Sequence, residues 1–419
     1  MTVSRPLENL RHSIDQCVRC GACQAHCPVY VETCRESSVA RGKIALAEAV
    51  LTGTIDLEER LQQEAGLCLL CGSCAVKCPN QVPTDAIVAA LRAQITATKG
   101  LSSLGRGVAM LTGSQRLRRS LLRSAHLLAP LLFTSIPAQS GLRLRFSPAA
   151  LKQRVLPTLA KHSLFDRIPE FLRGDADKPV LGVFAGCALT YLYPATGAAM
   201  ARLLNRLGYS VALPRSQGCC GMPALASGNQ ALLTQLTTTN STAFKPYGVE
   251  ATITACATCH GMLTDQTPPP ESSAPTAVMD IHVFLVQAGL ADTLAALPAS
   301  PHRLRVTYHD PCHLRSRGIT REPRALLQAL PGVELIEMEG AEFCCGLGGT
   351  FAAAHPKLSQ TIGDRKLAGL QASKASIIAS SCPGCVLQLQ DVITRANLPV
   401  KAVHTLDLID QALAGEGPA

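Results

Sequence analysis

The sequence contains the run Cys17-Val-Arg-Cys20-Gly-Ala-Cys23-Gln-Ala-His-Cys27-Pro28, in which four cysteines fall within eleven residues. The same spacing recurs in Cys68-Leu-Leu-Cys71-Gly-Ser-Cys74-Ala-Val-Lys-Cys78-Pro79. Three thiolates separated by two residues wrap a tight turn around three irons of a cubane, while the fourth points away and ligates a second cluster. Zinc sites use cysteine pairs at separated positions instead, so the runs predict two [4Fe–4S] cubanes. The expected ligands are Cys17, Cys20, Cys23 and Cys78 for cluster 1, and Cys27, Cys68, Cys71 and Cys74 for cluster 2.

The cysteine content indicates a reducing compartment. The chain of 419 residues has 19 cysteines, an odd number, and most stand in CxxC groups. The segment Met1–Gln16 is polar and charged, without the apolar core of an export signal. The longest unbroken apolar stretch, Leu127–Phe133, has seven residues, whereas a membrane span needs about 20. We therefore expect thiolate-bound metal rather than disulfides, and a protein that is cytoplasmic and peripheral on the cytoplasmic membrane.

The spacing between the two runs indicates a helical domain. Forty residues separate Cys27 from Cys68, more than a compact bacterial ferredoxin would have. Ile44–Leu51 and Leu57–Leu67 have the composition of helices. The N-terminal region therefore resembles the helical ferredoxin domain of succinate dehydrogenase iron–sulfur subunits.

Three further residues near the first run need an interpretation. Arg41 and Lys43 either hydrogen-bond near the cluster sulfurs and raise a reduction potential, or belong to the solvated start of a helix. Cys34 fits neither cysteine run and is expected to be a buried thiol rather than a ligand.

Ten further cysteines form a duplicated pattern in the second half of the chain. In each copy a single cysteine is followed by a Cys-Cys-Gly triplet and then by a Cys-x2-Cys pair, with gaps of 31 and 35 residues in the first copy and 31 and 36 in the second. Such a register indicates two copies of one module of about 120 residues. The first set is Cys187, Cys219, Cys220, Cys256 and Cys259, and the second set is Cys312, Cys344, Cys345, Cys382 and Cys385.

Apolar strands run into these cysteines. Val180–Phe184 and Leu304–Tyr308 read as buried strands, and Ala251–Ala255 and Ala375–Ala379 read as strands that end at the Cys-x2-Cys pairs. Because helical stretches alternate with them, we expect parallel sheets. Ligands at the carboxyl ends of parallel strands converge on one edge of the sheet.

Each copy resembles the cysteine-rich "CCG" domain. This domain is found in heterodisulfide reductase, in the lactate-utilisation iron–sulfur proteins, and in the iron–sulfur subunits of glycolate oxidase and of anaerobic glycerol-3-phosphate dehydrogenase. Ferredoxin and two CCG domains in one chain narrow the resemblance to the glycolate oxidase and glycerol-3-phosphate dehydrogenase subunits. The matching motifs are Phe184-Ala-Gly-Cys187, Gly218-Cys-Cys-Gly221, His309-Asp-Pro-Cys312-His313 and Phe343-Cys-Cys-Gly346 with Gly348-Gly-Thr350 following.

The resemblance implies one or two further iron–sulfur clusters in the CCG domains. A cubane needs four thiolates and each copy offers five. Either one thiol per copy is free, or the cluster is a noncubane form that shares bridging thiolates. Zinc in one copy is the alternative cofactor. His260, His309 and His313 stand beside the cysteines and are either outer-shell donors or polar residues that orient their neighbours.

The basic character of the chain lies in one segment. Of the 39 Lys and Arg residues, twelve fall in residues 86–164, which contain no Asp or Glu. Within Gln115–Phe133, Arg116, Arg119, Arg123 and His126 have helical spacing beside a leucine-rich face. Such a helix either lies on a membrane surface or packs between domains or onto a partner subunit. Nucleic acid is not an expected partner, because base-stacking aromatics are scarce.

The expected fold is multidomain α+β: a helical two-cluster ferredoxin domain followed by two tandem α/β CCG domains. The predicted boundaries are residues 1–98 for the ferredoxin domain, 99–175 for the basic linker, and 176–300 and 301–419 for the CCG domains.

The expected function is electron transfer. The sequence has no nucleophile–base pair, phosphate loop or dinucleotide fingerprint, so no catalytic residues and no substrate site of its own are expected. The resemblance implies an iron–sulfur subunit of a membrane-associated, FAD-linked lactate or glycolate dehydrogenase. Electrons would pass from the flavin of a partner subunit towards quinone. The alternatives are the equivalent subunit of anaerobic glycerol-3-phosphate dehydrogenase, a heterodisulfide-reductase-like catalyst, and a zinc–iron scaffold that tethers a dehydrogenase to the membrane.

Overall fold

A computed structural model describes residues 7–115, 117–118, 133–135, 142–144, 160–266, 277–301 and 303–415. The amphipathic segment expected over Gln115–Phe133 falls almost entirely outside the described residues. No helix within these ranges combines the length and the apolarity needed to cross a membrane.

Helices and parallel strands alternate through the second half, after an N-terminal part made of helices. The helices are α1 (Arg11–Asp15), α2 (Pro28–Thr33), α3 (Ala40–Leu51), α4 (Glu59–Gly66), α5 (Ser73–Val76), α6 (Thr84–Lys99), α7 (Ser103–Gly113), α8 (Leu164–Arg167), α9 (Gly186–Tyr191), α10 (Pro194–Arg206), α11 (Met222–Ala226), α12 (Gln230–Ala243), α13 (Ala257–Gln266), α14 (Ile281–Gln287), α15 (Leu290–Ala295), α16 (Cys312–Arg315), α17 (Arg321–Gln328), α18 (Phe351–Ala354), α19 (Pro356–Asp364), α20 (Lys366–Ser373), α21 (Pro383–Arg395) and α22 (Thr405–Leu413). The strands are β1 (Phe133–Ser135), β2 (Leu142–Leu144), β3 (Phe171–Leu172), β4 (Val180–Val183), β5 (Ser210–Ala212), β6 (Ala251–Thr254), β7 (Ala277–Asp280), β8 (Leu304–His309), β9 (Val333–Leu335), β10 (Ile377–Ser380) and β11 (Lys401–His404).

The chain forms two compact units, and both are discontinuous in sequence. Unit 1 consists of Met1–Leu117, Gly221–Thr237 and Gly346–Asp364. Unit 2 consists of Arg118–Cys220, Thr238–Cys345 and Arg365–Ala419. Unit 1 therefore holds all eight cysteines of the two N-terminal runs, and unit 2 holds all ten cysteines of the duplicated pattern.

Unit 1 is a helical domain whose core forms between α3, α4 and α6. Helix α6 has an acidic residue, Asp85, in its first turn and ends at Gly100, whose φ of +79° favours glycine. Its buried positions recur at three- and four-residue intervals, as an amphipathic helix requires. The core residues include Leu7, Leu10, Ile14, Ile44, Ala47, Leu61, Ile87, Leu91 and Ile95. The predicted helical ferredoxin domain is thus confirmed.

Unit 2 contains two sheets with the same topology. The first has the order β3-β5-β4-β6-β7 and the second has the order β11-β10-β8-β9. Apart from the antiparallel edge strand β3, all pairings in both sheets are parallel. Within each copy the first strand lies between the second and the third, and the fourth pairs with the third. The predicted duplication and the predicted parallel sheets are confirmed.

The two copies share one hydrophobic core and pack reciprocally. One cluster of buried residues includes Leu181 and Ile253 of the first sheet together with Val306 and Ile377 of the second. Helix α9 of the first copy packs on α21 of the second, and α16 of the second packs on α13 of the first. Each of these four helices starts at or next to a cysteine of its copy, so the exchange brings the two cysteine sets towards a common centre.

Candidate metal centres

The four cysteines expected to hold cluster 1 line one small cavity. Cys17, Cys20, Cys23 and Cys78 all contribute to its wall. The backbone turns there at Gly21, whose φ is +84°, and a Cβ at this position would lie 2.9 Å from Arg41 Nη1. The local sequence Cys-Gly-Ala-Cys is therefore suited to a tight cradle that leaves space for a small inorganic group.

The four cysteines expected to hold cluster 2 also lie together, although Cys27 comes from the other run. Burial raises the pKa of the Cys27 thiol to about 12, with the nearby charges of Cys68 and Cys71 adding to the shift and a Tyr30 backbone hydrogen bond opposing it. Burial likewise raises the pKa of Cys74 well above its usual value, and the charges of Cys71, Cys68 and Cys27 act in the same direction. The structure thus brings together one cysteine of the first run and three of the second, which is the exchange that the ferredoxin spacing predicts.

Two buried cations stand beside the cluster 2 cysteines. Lys43 is 1% exposed, and its Nζ donates to the carbonyls of Ser37, at 2.6 Å, and Glu64. Arg92, 9% exposed, donates to the carbonyls of Ala65, Gly66, Cys68 and Ala226. Burial lowers the pKa of Lys43 to about 8, and the charge of Cys68 opposes the shift. A buried cation needs a compensating negative charge, which thiolates bound to a cluster supply.

The two open interpretations of Arg41 and Lys43 resolve differently for each residue. Arg41 forms an ion pair with Glu36, its Nε 2.5 Å from Oε1, and donates to the carbonyl of Arg19 at 3.3 Å. Lys43 is buried and faces the cluster 2 cysteines. The expectation for Cys34 was wrong: its thiol is exposed, because the residue ends α2 in a left-handed conformation with φ of +51°.

The ten cysteines of unit 2 form a nearly continuous group of sulfurs. Cys187 and Cys219 hydrogen-bond each other. A second series of contacts runs from Cys220 to Cys259, Cys256, Cys382, Cys385, Cys345 and Cys344, in that order. The contact between Cys256 and Cys382 joins the two copies. Cys312 is half-buried, and its sulfur lies 3.9 Å from His313 Nδ1.

The thiols of this group cannot all take the same protonation state. Hydrogen bonds from Cys344 and Cys385 hold the pKa of Cys345 well below its usual range, and the same contact raises the pKa of Cys385. The two sulfurs are 3.6 Å apart and are not bonded. Buried thiolates in contact are costly without a cation, whereas metal binding deprotonates and satisfies all of them. The donor set therefore fits a metal–sulfur group.

The number of donors favours clusters over zinc in unit 2. His309 joins Cys345 and Cys385, and the ligand atoms of the three residues lie within 4.8 Å of one another. Zinc would accept such a set, but it takes four ligands. Each copy supplies five thiols, and the second adds an imidazole. A cluster with several irons uses more of these donors than a single ion does.

The surroundings of the two sets differ in charge. His309 is fully buried in the second copy, where the first copy has Phe184 at the corresponding position three residues before its first cysteine. Lys366, 1% exposed, donates to the carbonyls of Gly340, at 2.5 Å, and Ala341, at 3.0 Å. Burial lowers its pKa to about 8, while the charges of Cys345, Cys344 and Cys385 oppose the shift. The second set thus lies next to a cation and an imidazole.

The three expected histidines have different roles. His313 Nδ1 lies 3.3 Å from the Thr258 hydroxyl, which also contacts Cys382 at 3.8 Å, so this pair links the two copies. His260 is buried, and burial lowers its pKa. His309 contacts the cysteines directly, as described above.

Sequence reasoning missed Thr258, Arg92 and Lys366. Arg92 could have been found, because it stands four residues after Val88 and three before Ile95, on the apolar face of α6. Lys366 continues a four-residue spacing with Ile362 and Leu370. A charged residue in an apolar register indicates a buried charge with a partner. Thr258 carries no such signal.

Comparison with known proteins agrees with this architecture. Residues 13–82 match the 4Fe-4S dicluster domain family, and residues 181–264 and 306–390 match the cysteine-rich domain family CCG. The chain is 33% identical over 417 residues to the probable glycolate oxidase iron-sulfur subunit of Bacillus subtilis, covering 94% of this chain and 93% of that protein. The chain belongs to this iron–sulfur subunit family.

Other members carry different names. One subunit of the dihydromethanophenazine:CoB–CoM heterodisulfide reductase of Methanosarcina barkeri is 26% identical over 427 residues, which cover 96% of this chain and 94% of that protein. Lactate utilization protein A of Geobacillus kaustophilus is 29% identical over 237 residues, which cover 55% of this chain and 98% of that protein. The family thus joins iron–sulfur subunits of several oxidoreductase systems.

Proposed function

We propose that the chain is the electron-transfer subunit of a membrane-associated, FAD-linked 2-hydroxyacid dehydrogenase, with lactate or glycolate as the electron donor. Electrons leave the flavin of a partner subunit and pass through this chain towards quinone. The observation that carries the proposal is the presence of two separate groups of converging cysteines, one in each unit, in a relative of a glycolate oxidase iron-sulfur subunit.

We further propose how the cysteines are used. In unit 1, Cys17, Cys20, Cys23 and Cys78 hold one [4Fe–4S] cubane, and Cys27, Cys68, Cys71 and Cys74 hold the other. In unit 2 each set of five cysteines holds one further cluster of noncubane type. When bound, such clusters accept and release single electrons. The protein exchanges water for buried thiolates and places Lys43, Arg92 and Lys366 near them, which favours the more negative, reduced state.

The same proposal keeps the domain boundaries of 1–98, 99–175, 176–300 and 301–419, and a location on the cytoplasmic face of the membrane. An apolar surface on α7 supports membrane attachment: Leu104, Met110 and Leu111 are 39%, 60% and 47% exposed. The basic segment that follows α7 in sequence adds cations, which anionic lipid headgroups attract.

Intact-complex mass spectrometry of material purified from the native membrane tests the partner. We expect a flavoprotein subunit that oxidises lactate or glycolate. A two-subunit glycerol-3-phosphate dehydrogenase in its place would support the alternative donor, and a complex without any flavin would contradict the proposal.

A second candidate function is heterodisulfide-reductase-like catalysis. The relationship to the heterodisulfide reductase of Methanosarcina barkeri and the contact between Cys256 and Cys382 of the two sets favour it. Disulfide reduction by the purified chain with a reduced dye as the electron donor would support this second function, and its absence would leave electron transfer alone.

A further inference from the structure

Unit 1 contains a cavity of about 300 Å³ that none of the cluster ligands except Cys68 enters. Its wall combines α4, α6 and the start of α7 with short segments around Ala226 and around α18, all within unit 1. The volume is at the lower end of the range for small-molecule pockets, and the mouth is open to solvent. A ring-sized head group fits such a space, and a chain attached to the ring can leave through the mouth.

The charges of the wall exclude anionic ligands. Among the described residues of the wall, Arg92 is the only Lys or Arg, and its guanidinium is committed to four backbone carbonyls. Glu59 adds a negative charge at the exposed side. A carboxylate or phosphate substrate would therefore find no available cation. The wall is instead mainly apolar, with Ile95, Leu104 and Phe351 among its residues.

A few hydrogen-bonding groups point to a neutral polar head group. His355 is half-buried in the wall and its ring packs on Phe351, with centroids 5.0 Å apart. One ring nitrogen hydrogen-bonds the Gly66 backbone, and the described residues give the other no partner. The Thr350 hydroxyl and the Gln62 amide line the same cavity. A flat ligand with two carbonyl acceptors matches this combination.

The position of the cavity adds two independent observations. Cys68, an expected ligand of cluster 2, lies in the wall, next to the buried cations Arg92 and Lys43. Leu104 lies both in the wall and on the exposed apolar surface of α7, seven residues before Leu111 on the same helix face. A lipid-soluble ligand can therefore reach the cavity along an apolar surface.

We propose that this cavity binds the head group of a quinone, with His355 and Thr350 as hydrogen-bond donors and the isoprenoid tail leaving along α7. The inference rests on the proposed function, because the reductant is the reduced flavin of the partner, whose electrons arrive through the iron–sulfur relay. Each quinone takes up two electrons and two protons and leaves as quinol. The protons come from water, which the open mouth admits.

Photoaffinity labelling of the full, cluster-loaded chain tests this site. An azido derivative of decylubiquinone is the probe, and decylubiquinone is the competitor. We expect the label on residues 59–66, 102–113 or 348–355, and its loss when the competitor is added. The blocking variant is Ala354→Trp, since Ala354 is exposed in the wall of the cavity. The matched control is Ala353→Trp, which changes an exposed neighbour outside the wall.

Labelling should fall at least about tenfold in Ala354→Trp and remain unchanged in Ala353→Trp, with His355→Leu in between. A label elsewhere, or equal labelling of the two tryptophan variants, in a complex that still reduces quinone would overturn the site and leave the proposed function intact. A reduced chain that a dye oxidises but decylubiquinone neither oxidises nor labels would overturn the site together with quinone as the acceptor.

Discussion

Individual buried residues determine the electrostatics of the proposed clusters. Lys43, Arg92 and Lys366 are each at most 9% exposed, and each neutral side chain in their place would leave backbone carbonyls without a donor. Buried cations of this kind are costly unless a negative charge lies nearby. Their presence next to cysteines, rather than next to carboxylates, is best explained by a negatively charged cluster.

Replacing Lys43 by Met should lower the reduction potential of the cluster held by Cys68. Loss of the buried positive charge disfavours the more negative reduced state, because the interaction is weakly screened in the interior. An EPR-monitored redox titration of the purified chain measures the change. Lys43→Arg should retain most of the original potential, and Lys99→Met, at the exposed end of α6, should retain all of it. Equal potentials in Lys43→Met and wild type would contradict the assignment.

Replacing Cys345 by Ser should lower the iron content and change the low-temperature EPR spectrum of the chain. Cys345 contacts Cys344, Cys385 and His309 in the second set, and a hydroxyl is a poorer ligand for iron than a thiolate. The matched control is Cys34→Ser, whose thiol is exposed and belongs to neither group. If the two serine variants have the same iron content and spectrum, the second set does not bind a cluster.

Asp407 should make unit 2 more stable as the pH falls. Burial raises the pKa of Asp407 from 3.8 to about 6, opposed by a hydrogen bond from Thr196. Above pH 6 the carboxylate is charged in both states, and the folded state bears the cost. Between pH 6 and pH 4 the folded state binds the proton first, so the free energy of unfolding rises as the pH falls.

Asp407→Asn should therefore raise the stability at pH 8 by about 1 kcal/mol, less than the shift implies because the side chain keeps some exposed surface. The gain should shrink at pH 5. Anaerobic thermal unfolding at both pH values measures it, with the exposed Asp292→Asn as the control. A variant that is less stable than wild type at pH 8 would refute the argument.

At the scale of elements, close helix packing in unit 1 depends on one glycine. A Cβ at Gly42, in the first turn of α3, would lie 2.0 Å from the Glu36 carbonyl oxygen, and backbone atoms cannot move away cheaply. Gly42→Ala should thus destabilise unit 1 by about 2 kcal/mol or more and lower its iron content. Gly107, inside α7, has no atom within 4 Å of a Cβ, so Gly107→Ala should be neutral or stabilise by up to about 1 kcal/mol. Thermal unfolding followed by the cluster absorbance compares the two, and equal losses would contradict the packing argument.

Most elements could be predicted from the sequence because their patterns are local. The strands before Cys187, Cys256, Cys312 and Cys382 are short apolar runs, and each appears in the structure close to its predicted bounds. The burial of Cys34 could not be predicted this way. Its exposure follows from the left-handed end of α2, a backbone feature that no neighbouring glycine announces.

At the scale of the whole molecule, the sequence predicts the duplication but not how the copies fold together. Equal cysteine spacing implies equal topology, and the two parallel sheets confirm it. Spacing carries no information about the reciprocal packing of α9 on α21 and α16 on α13, which depends on side-chain shape between distant segments. For the same reason it could not predict that Gly221–Thr237 and Gly346–Asp364 belong to the compact unit of the ferredoxin domain.

The central claim is that both groups of cysteines, one in each unit, bind iron–sulfur clusters. The most direct test is the amount of iron and acid-labile sulfide in the anaerobically purified full chain, per mole of protein. Two cubanes and one four-iron cluster for each CCG set predict about sixteen of each. A value near eight of each would confine the clusters to unit 1 and contradict the claim.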